Sequence, residues 1–159
     1  MAFIKSGSKI ISFADFQDVL DRDQRLFDAN EGLSDDVIEG LLIRETERIL
    51  TKIRSTTWWK DLFKNQAVPE VNASLILARQ NDFTDLCVYG AMGEYILPMI
   101  ADFGTQDNAE RQKMMYYTQK ADSLFDELIQ QGDWYDFDSS GTIDASEKHS
   151  GSSLRKRIR

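Results

Sequence analysis

Residues 136–147, reading Asp-Phe-Asp-Ser-Ser-Gly-Thr-Ile-Asp-Ala-Ser-Glu, carry oxygen ligands at the spacing that encloses a hard cation. Counted from Asp136, Asp138 and Ser140 stand third and fifth, Gly141 supplies a sharp turn at the sixth place, Thr142 offers its carbonyl at the seventh, and Glu147 closes the set bidentately at the twelfth. This is the EF-hand loop pattern, with Ser140 where Asp or Asn is usual. The predicted ligands are therefore Asp136, Asp138, Ser140, Thr142 and Glu147, and the ion they suit is Ca2+ in a structural role. The competing reading is a metal-free turn, rich in Asp, Ser and Gly, that caps its own backbone. A complete EF-hand needs a helix on both sides and usually a paired loop. Here the exit side breaks at Ser150-Gly151, and the sequence holds no second loop.

No catalytic set can be assembled from the rest. The one histidine, His149, lies in what reads as a flexible tail, and the one cysteine, Cys87, sits inside an apolar helical stretch where a buried thiol is expected. There is no glycine-rich phosphate loop and no Cys/His cluster at zinc spacing. The sequence predicts a protein that binds other proteins and is not an enzyme. The end of the chain, Leu154, Arg155, Lys156, Arg157, Ile158 and Arg159, alternates apolar and cationic residues. It reads as a DNA contact, as a solubilising end, or as an arm that lies in an acidic groove of another protein and folds on binding.

The elements that must hold these groups are helical. Residues 1–11 read as an extended arm or short edge strand, and a first helix is predicted from Ser12, with Asp15 as its capping partner and Phe13, Phe16, Val19, Leu20 and Phe27 as its stripe. Ser34 before Asp35 and Asp36 caps a second helix whose apolar positions, from Val37 to Ile53, recur at three- and four-residue spacing with Glu45 as the one polar exception. Ser55 to Thr57 interrupts it. Trp58 and Trp59 follow, and because neighbouring helical residues point about 100° apart, one of the two indoles is predicted to lie against a partner. A loop through Pro69 leads to a third helix, with Gly90, Ala91 and Gly93 as a face for close helix approach and a kink at Pro98. A fourth helix is predicted from about residue 105 to Gly132, buried through Met114, Tyr117, Ala121, Leu124, Phe125 and Leu128. The expected fold is all-α: a small four-helix bundle over residues 12–132, the acidic loop 133–147, and arms at 1–11 and 148–159.

Composition agrees with one domain. The 159 residues are 42% hydrophobic and 29% charged, which suits a packed core. No run is long and apolar enough for a membrane span, and the first residues lack the pattern of a signal peptide, so a soluble protein is expected. Net charge is −8, yet four cations fall in the last five residues, leaving fifteen basic against twenty-seven acidic residues, or −12, in the body. Such a body repels nucleic acid and anionic lipid.

From about Pro69 to Glu147 the sequence resembles the small helical head-completion proteins of tailed bacteriophages, also called head-tail connector, adaptor or neck proteins. The resemblance is carried by Leu75-Ile-Leu-Ala-Arg79-Gln-Asn-Asp82-Phe-Thr-Asp85-Leu, by Tyr89-Gly-Ala-Met-Gly-Glu-Tyr95-Ile-Leu-Pro98, and by a tyrosine-containing helix leading into Gly132-Asp-Trp134-Tyr135-Asp136-Phe-Asp138. It implies a virion protein, made in the host cytoplasm, that forms a dodecameric ring beneath the portal, retains the packaged DNA without gripping it, and meets the tail or the next neck protein. It further implies that the C-terminal arm docks on the portal. The alternatives are a calcium-binding regulatory module switched by the acidic loop, and a nucleic-acid accessory protein using the tail.

Overall fold

The computed structural model describes residues 3–23, 34–100 and 109–149. These form a mostly helical protein with one small two-stranded sheet. In order come β1 (Ile4–Ser6), β2 (Lys9–Ser12), α1 (Phe16–Arg22), α2 (Asp35–Arg54), α3 (Thr57–Leu62), a 3-10 turn (Ala73–Leu75), α4 (Gln80–Ala91), a π-helical turn (Met92–Ile96), α5 (Leu97–Ile100), α6 (Ala109–Gln131) and a second 3-10 turn (Ala145–Glu147).

Of the two readings of residues 1–11, extended arm or short edge strand, the described residues from Phe3 take the strand. β1 and β2 pair as an antiparallel hairpin, Lys5 opposite Ile10 and Ser6 opposite Lys9, with an irregularity between Ile4 and Lys5. Phe3 and Ile10 are buried, and Phe3 packs on Phe13 with ring centroids 4.8 Å apart. A two-stranded hairpin is marginal alone, so its order comes from this apolar face. Phe13 continues the core without being helical. Its N–H donates to Thr46 Oγ1 at 3.1 Å and its carbonyl accepts from Thr84 Oγ1 at 2.7 Å, so α2 and α4 satisfy the backbone polar groups that a helix would have paired internally.

The first helix therefore starts later than the sequence suggested. Asp15 is the N-cap, and a reciprocal capping box joins it to Asp18, each side chain accepting from the other's backbone N–H. The helix ends at Asp23, and Phe27, expected on its stripe, lies outside the described residues. α2 begins at its expected cap, with Ser34 Oγ accepting from Val37 N–H. Thr56 restarts the chain as α3 by accepting from Trp59 N–H at 3.2 Å.

Among the described residues, α4 with its π turn packs against both α2 and α6, while α1 and α3 are short helices of seven and six residues. Small residues allow the close approach. A Cβ on Gly90 would lie 2.1 Å from Glu45 Oε1 on α2, and one on Gly93 would lie 2.6 Å from Thr118 Oγ1 and 3.1 Å from Thr118 N on α6. Pro98, expected to kink this helix, is preceded by the π turn. There the Leu97 N–H reaches back five residues to the Met92 carbonyl, and the widened turn accommodates a proline that has no N–H and crowds the preceding turn.

Candidate functional site

The acidic loop is built outward from the end of α6. Gly132 closes that helix at φ +56, a left-handed conformation natural to glycine, and its N–H donates to the Leu128 carbonyl at 3.1 Å. Trp134, fully buried, donates its indole N–H to the same Leu128 carbonyl at 2.7 Å. Tyr135 pairs with Ile76 as an isolated antiparallel bridge, and its hydroxyl accepts from Asn72 N–H at 3.1 Å. The Asp136 N–H donates to the Leu75 carbonyl at 2.9 Å. The first predicted ligand is thereby bolted to the segment that leads into α4.

Asp136 is 1% exposed, and its two oxygens accept from the N–H groups of Ser140 at 3.2 Å and Gly141 at 2.8 Å. Asp138 also accepts from Ser140 N–H, at 3.0 Å. Hydrogen bonding from Ser140 holds the Asp138 carboxyl below its usual range. Glu147, buried on the second 3-10 turn, spans the loop: Oε1 accepts from Asp138 N–H at 2.9 Å and Oε2 from Asp144 N–H at 2.8 Å. Gly141, at φ +89, makes the turn the spacing required of it.

Asp136, Asp138 and Glu147 each bring an oxygen to within 4.8 Å of the other two. Oxygens bound about 2.4 Å from a common calcium ion can be no farther apart than that. These three can hold a metal ion. Between the other two predicted ligands, the Ser140 hydroxyl donates to the Thr142 carbonyl at 3.0 Å, a side-chain to backbone bond across the turn. Among the described residues no exit helix follows Glu147. After Glu147 the chain passes into extended Lys148, so three residues of 3-10 turn stand where an exit helix would be.

The tryptophans are placed contrary to expectation. Trp58 is 5% exposed and Trp59 is fully buried within this one chain. The inference from helical geometry assumed a single core face, whereas on the six residues of α3 both adjacent indoles find cover while Thr57, Lys60 and Asp61 stay exposed. Trp58 packs on Trp134 at 5.5 Å and donates its indole N–H to the His149 carbonyl at 2.7 Å. Trp59 meets Phe63, Tyr135 and Phe137, and donates to the Pro69 carbonyl at 3.0 Å. The partner contact predicted for Trp58 or Trp59 is thus replaced by an internal aromatic cluster.

His149 is likewise part of the body. Its N–H donates to the Gly132 carbonyl at 2.9 Å, its ring meets Phe137 edge-on at 5.2 Å, and burial lowers its pKa. The predicted arm from 148 therefore begins with two residues fixed to the chain itself. Leu154, Arg155, Lys156, Arg157, Ile158 and Arg159 lie outside the described residues. Cys87 is fully buried, and burial pushes its thiol up to about 12.

The group that sequence reasoning passed over is this strap of Gly132, Trp58 and His149. Its only signal was chemical: two buried indoles require two acceptors. No family model, curated protein or solved structure matches this chain. Among the described residues no helix is long and apolar enough to cross a membrane.

Proposed function

We propose that this chain is a structural, non-catalytic phage neck protein: a subunit of a dodecameric ring in the virion, seated beneath the portal, completing the head and presenting a platform to the tail or the next neck protein. The observation that supports this reading is that the segments carrying the resemblance are bonded to one another. Leu77 N–H donates to the Trp134 carbonyl at 3.0 Å, Asp136 N–H to the Leu75 carbonyl, and Arg79 forks onto Asp133 at 2.6 and 3.0 Å. The acidic body, −12 without the tail, tolerates packaged DNA nearby without holding it. Met99 and Met115, 56% and 59% exposed, offer apolar surface that assembly would cover. Electron microscopy of the chain alone and mixed with the portal of the same phage tests the reading. Twelvefold rings on the portal are expected, and monomers indifferent to portal would overturn it.

Within this reading the loop takes one Ca2+ structurally, held by Asp136, Asp138 and Glu147. The fit is chemical as well as geometric, because a carboxylate oxygen that accepts one N–H keeps a second lone pair for a cation. The ion would neutralise three clustered carboxylates and fasten the two ends of the loop together. The same cluster favours the alternative, a calcium-binding regulatory module. A monomer or dimer whose scattering profile changes with calcium would select that alternative.

A further inference from the structure

Charge is unevenly spread over the helices of this acidic body. Residues 111–120, in the first half of α6, hold Arg111, Lys113 and Lys120 and no acid, a charge of +3. Residues 35–40, which open α2, hold Asp35, Asp36 and Glu39 and no base, a charge of −3. Each stretch also shows apolar surface. On α6, Met115 and Tyr116 are more than half exposed, and a cleft of about 330 Å³ lies beside Met115, lined by Gly93, Arg111, Met114, Met115, Thr118 and Gln119. On α2, Val37 is 39% exposed between Asp36 and Glu39. Gly40 shares its face one turn on, and a Cβ there would meet nothing within 4 Å. Glycine is the poorest helix former after proline, and packing among the described residues does not require it at this place. Val37 and Met115 are both exposed in the one chain, so neither patch covers the other within it.

We propose that this chain binds a second copy of itself head to tail: the acidic start of α2, led by Val37 and Gly40, seats in the cleft beside Met115 on α6 of the next copy. The proposal rests on the ring reading above, for which it names the joining surfaces. Charge complementarity selects the occupant. Most of the surface of a −12 body repels an acidic segment, whereas the stretch 111–120 attracts one. Part of its charge is already engaged, Lys113 with Asp23 at 3.0 Å and Lys120 over the Tyr116 ring. Both lysines are exposed, and an ammonium group has three donors to share. The cleft gives Val37 an apolar seat, and a helix without a Cβ at 40 can lie close against its rim. The two patches differ, so the contact is heterologous. One copy's head and the other's cleft remain for further copies, and the contact repeats into a ring where its rotation closes.

The full chain is sedimented over a range of concentrations at low and high salt, with circular dichroism melting as the check on folding. Wild type should associate, and more weakly as salt is added. Val37→Lys blocks the head and Met115→Glu blocks the cleft; if the latter does not fold, Gln119→Glu replaces it. Alone, each should associate about tenfold more weakly or worse. Mixed, the two should pair one to one, because one keeps its cleft and the other its head. Gly40→Gln, a better helix former, should melt higher yet associate more weakly. Wild-type monomers at every concentration, wild-type association in any of these variants, or blocked copies that do not pair when mixed overturns the contact. Twelvefold rings on the portal that form equally well with Val37→Lys and Met115→Glu overturn the contact and leave the ring reading standing. Association that the variants weaken and their mixture restores, in a chain indifferent to portal, upholds the contact and overturns the ring reading.

Discussion

Glu45 is a carboxylate at 2% exposure on the interface between α2 and α4, and two neighbours make that tolerable. Arg48 meets it through two nitrogens at 2.9 and 3.0 Å, and Gly90 leaves the space its carboxylate occupies. Desolvation outweighs the arginine, so its pKa stands above the ordinary value. Gly90→Ala should therefore destabilise the chain by about 1–3 kcal/mol, through overpacking against a side chain that cannot easily leave its partner. In a Glu45→Ala background the same methyl meets a vacated space, so its cost should largely disappear. Chemical denaturation of the two single variants and the double variant gives the coupling, and additive costs would show that Glu45 and Gly90 do not share that space. The helical stripe made Glu45 visible in the sequence as the one polar entry, but not its partner forty-five residues away. The acidic loop was legible because its ligand spacing is local. The buried indoles were not, because what covers Trp58 and Trp59 comes from residues 69, 134–137 and 149.

The helices themselves were readable wherever their signals are local. The Ser34 cap, the break at Ser55 to Thr57 and the stop at Gly132 all stand where capping chemistry puts them. The hairpin and the late start of α1 were not readable, since Phe3 and Phe13 gain their order from α2 and α4, contacts that no short window contains. The small-residue face was legible as a face, and its two glycines turn out to serve different neighbours. Gly93 meets backbone as well as side chain, Thr118 N at 3.1 Å and Met114 O at 3.4 Å from a built Cβ. Gly93→Ala should thus force the π turn away from α6 and cost about 1–3 kcal/mol. Unlike Gly90→Ala, it should not be rescued by trimming the facing side chain. A Gly93→Ala, Thr118→Ala pair that regains wild-type melting would show that the helix backbones are not in close contact.

At the scale of the whole molecule, one aromatic chain runs from Phe3 through Phe13, Phe83 and Trp134 to the cluster around Trp59, so hairpin, central helix and loop share a single core. Beside it, the Arg79–Asp133 fork adds a charged fastening between the entrance of α4 and the end of α6. Asp133 sits below its usual pKa chiefly through its hydrogen bond with Arg79. A carboxyl with a depressed folded pKa stabilises the native state fully above its unfolded pKa and loses that contribution as pH falls through the folded value. Asp133→Asn keeps the shape and removes the charge. The melting temperature of the wild type should accordingly exceed that of Asp133→Asn at pH 7, and the gap should close as pH is lowered below about 4, near the unfolded value for Asp. Both groups are partly exposed, so added salt should narrow the neutral-pH gap as well. A gap that persists unchanged from pH 7 to pH 3 would assign the loss to packing at the end of α6, leaving the fork with no electrostatic share in holding the loop to the entrance of α4.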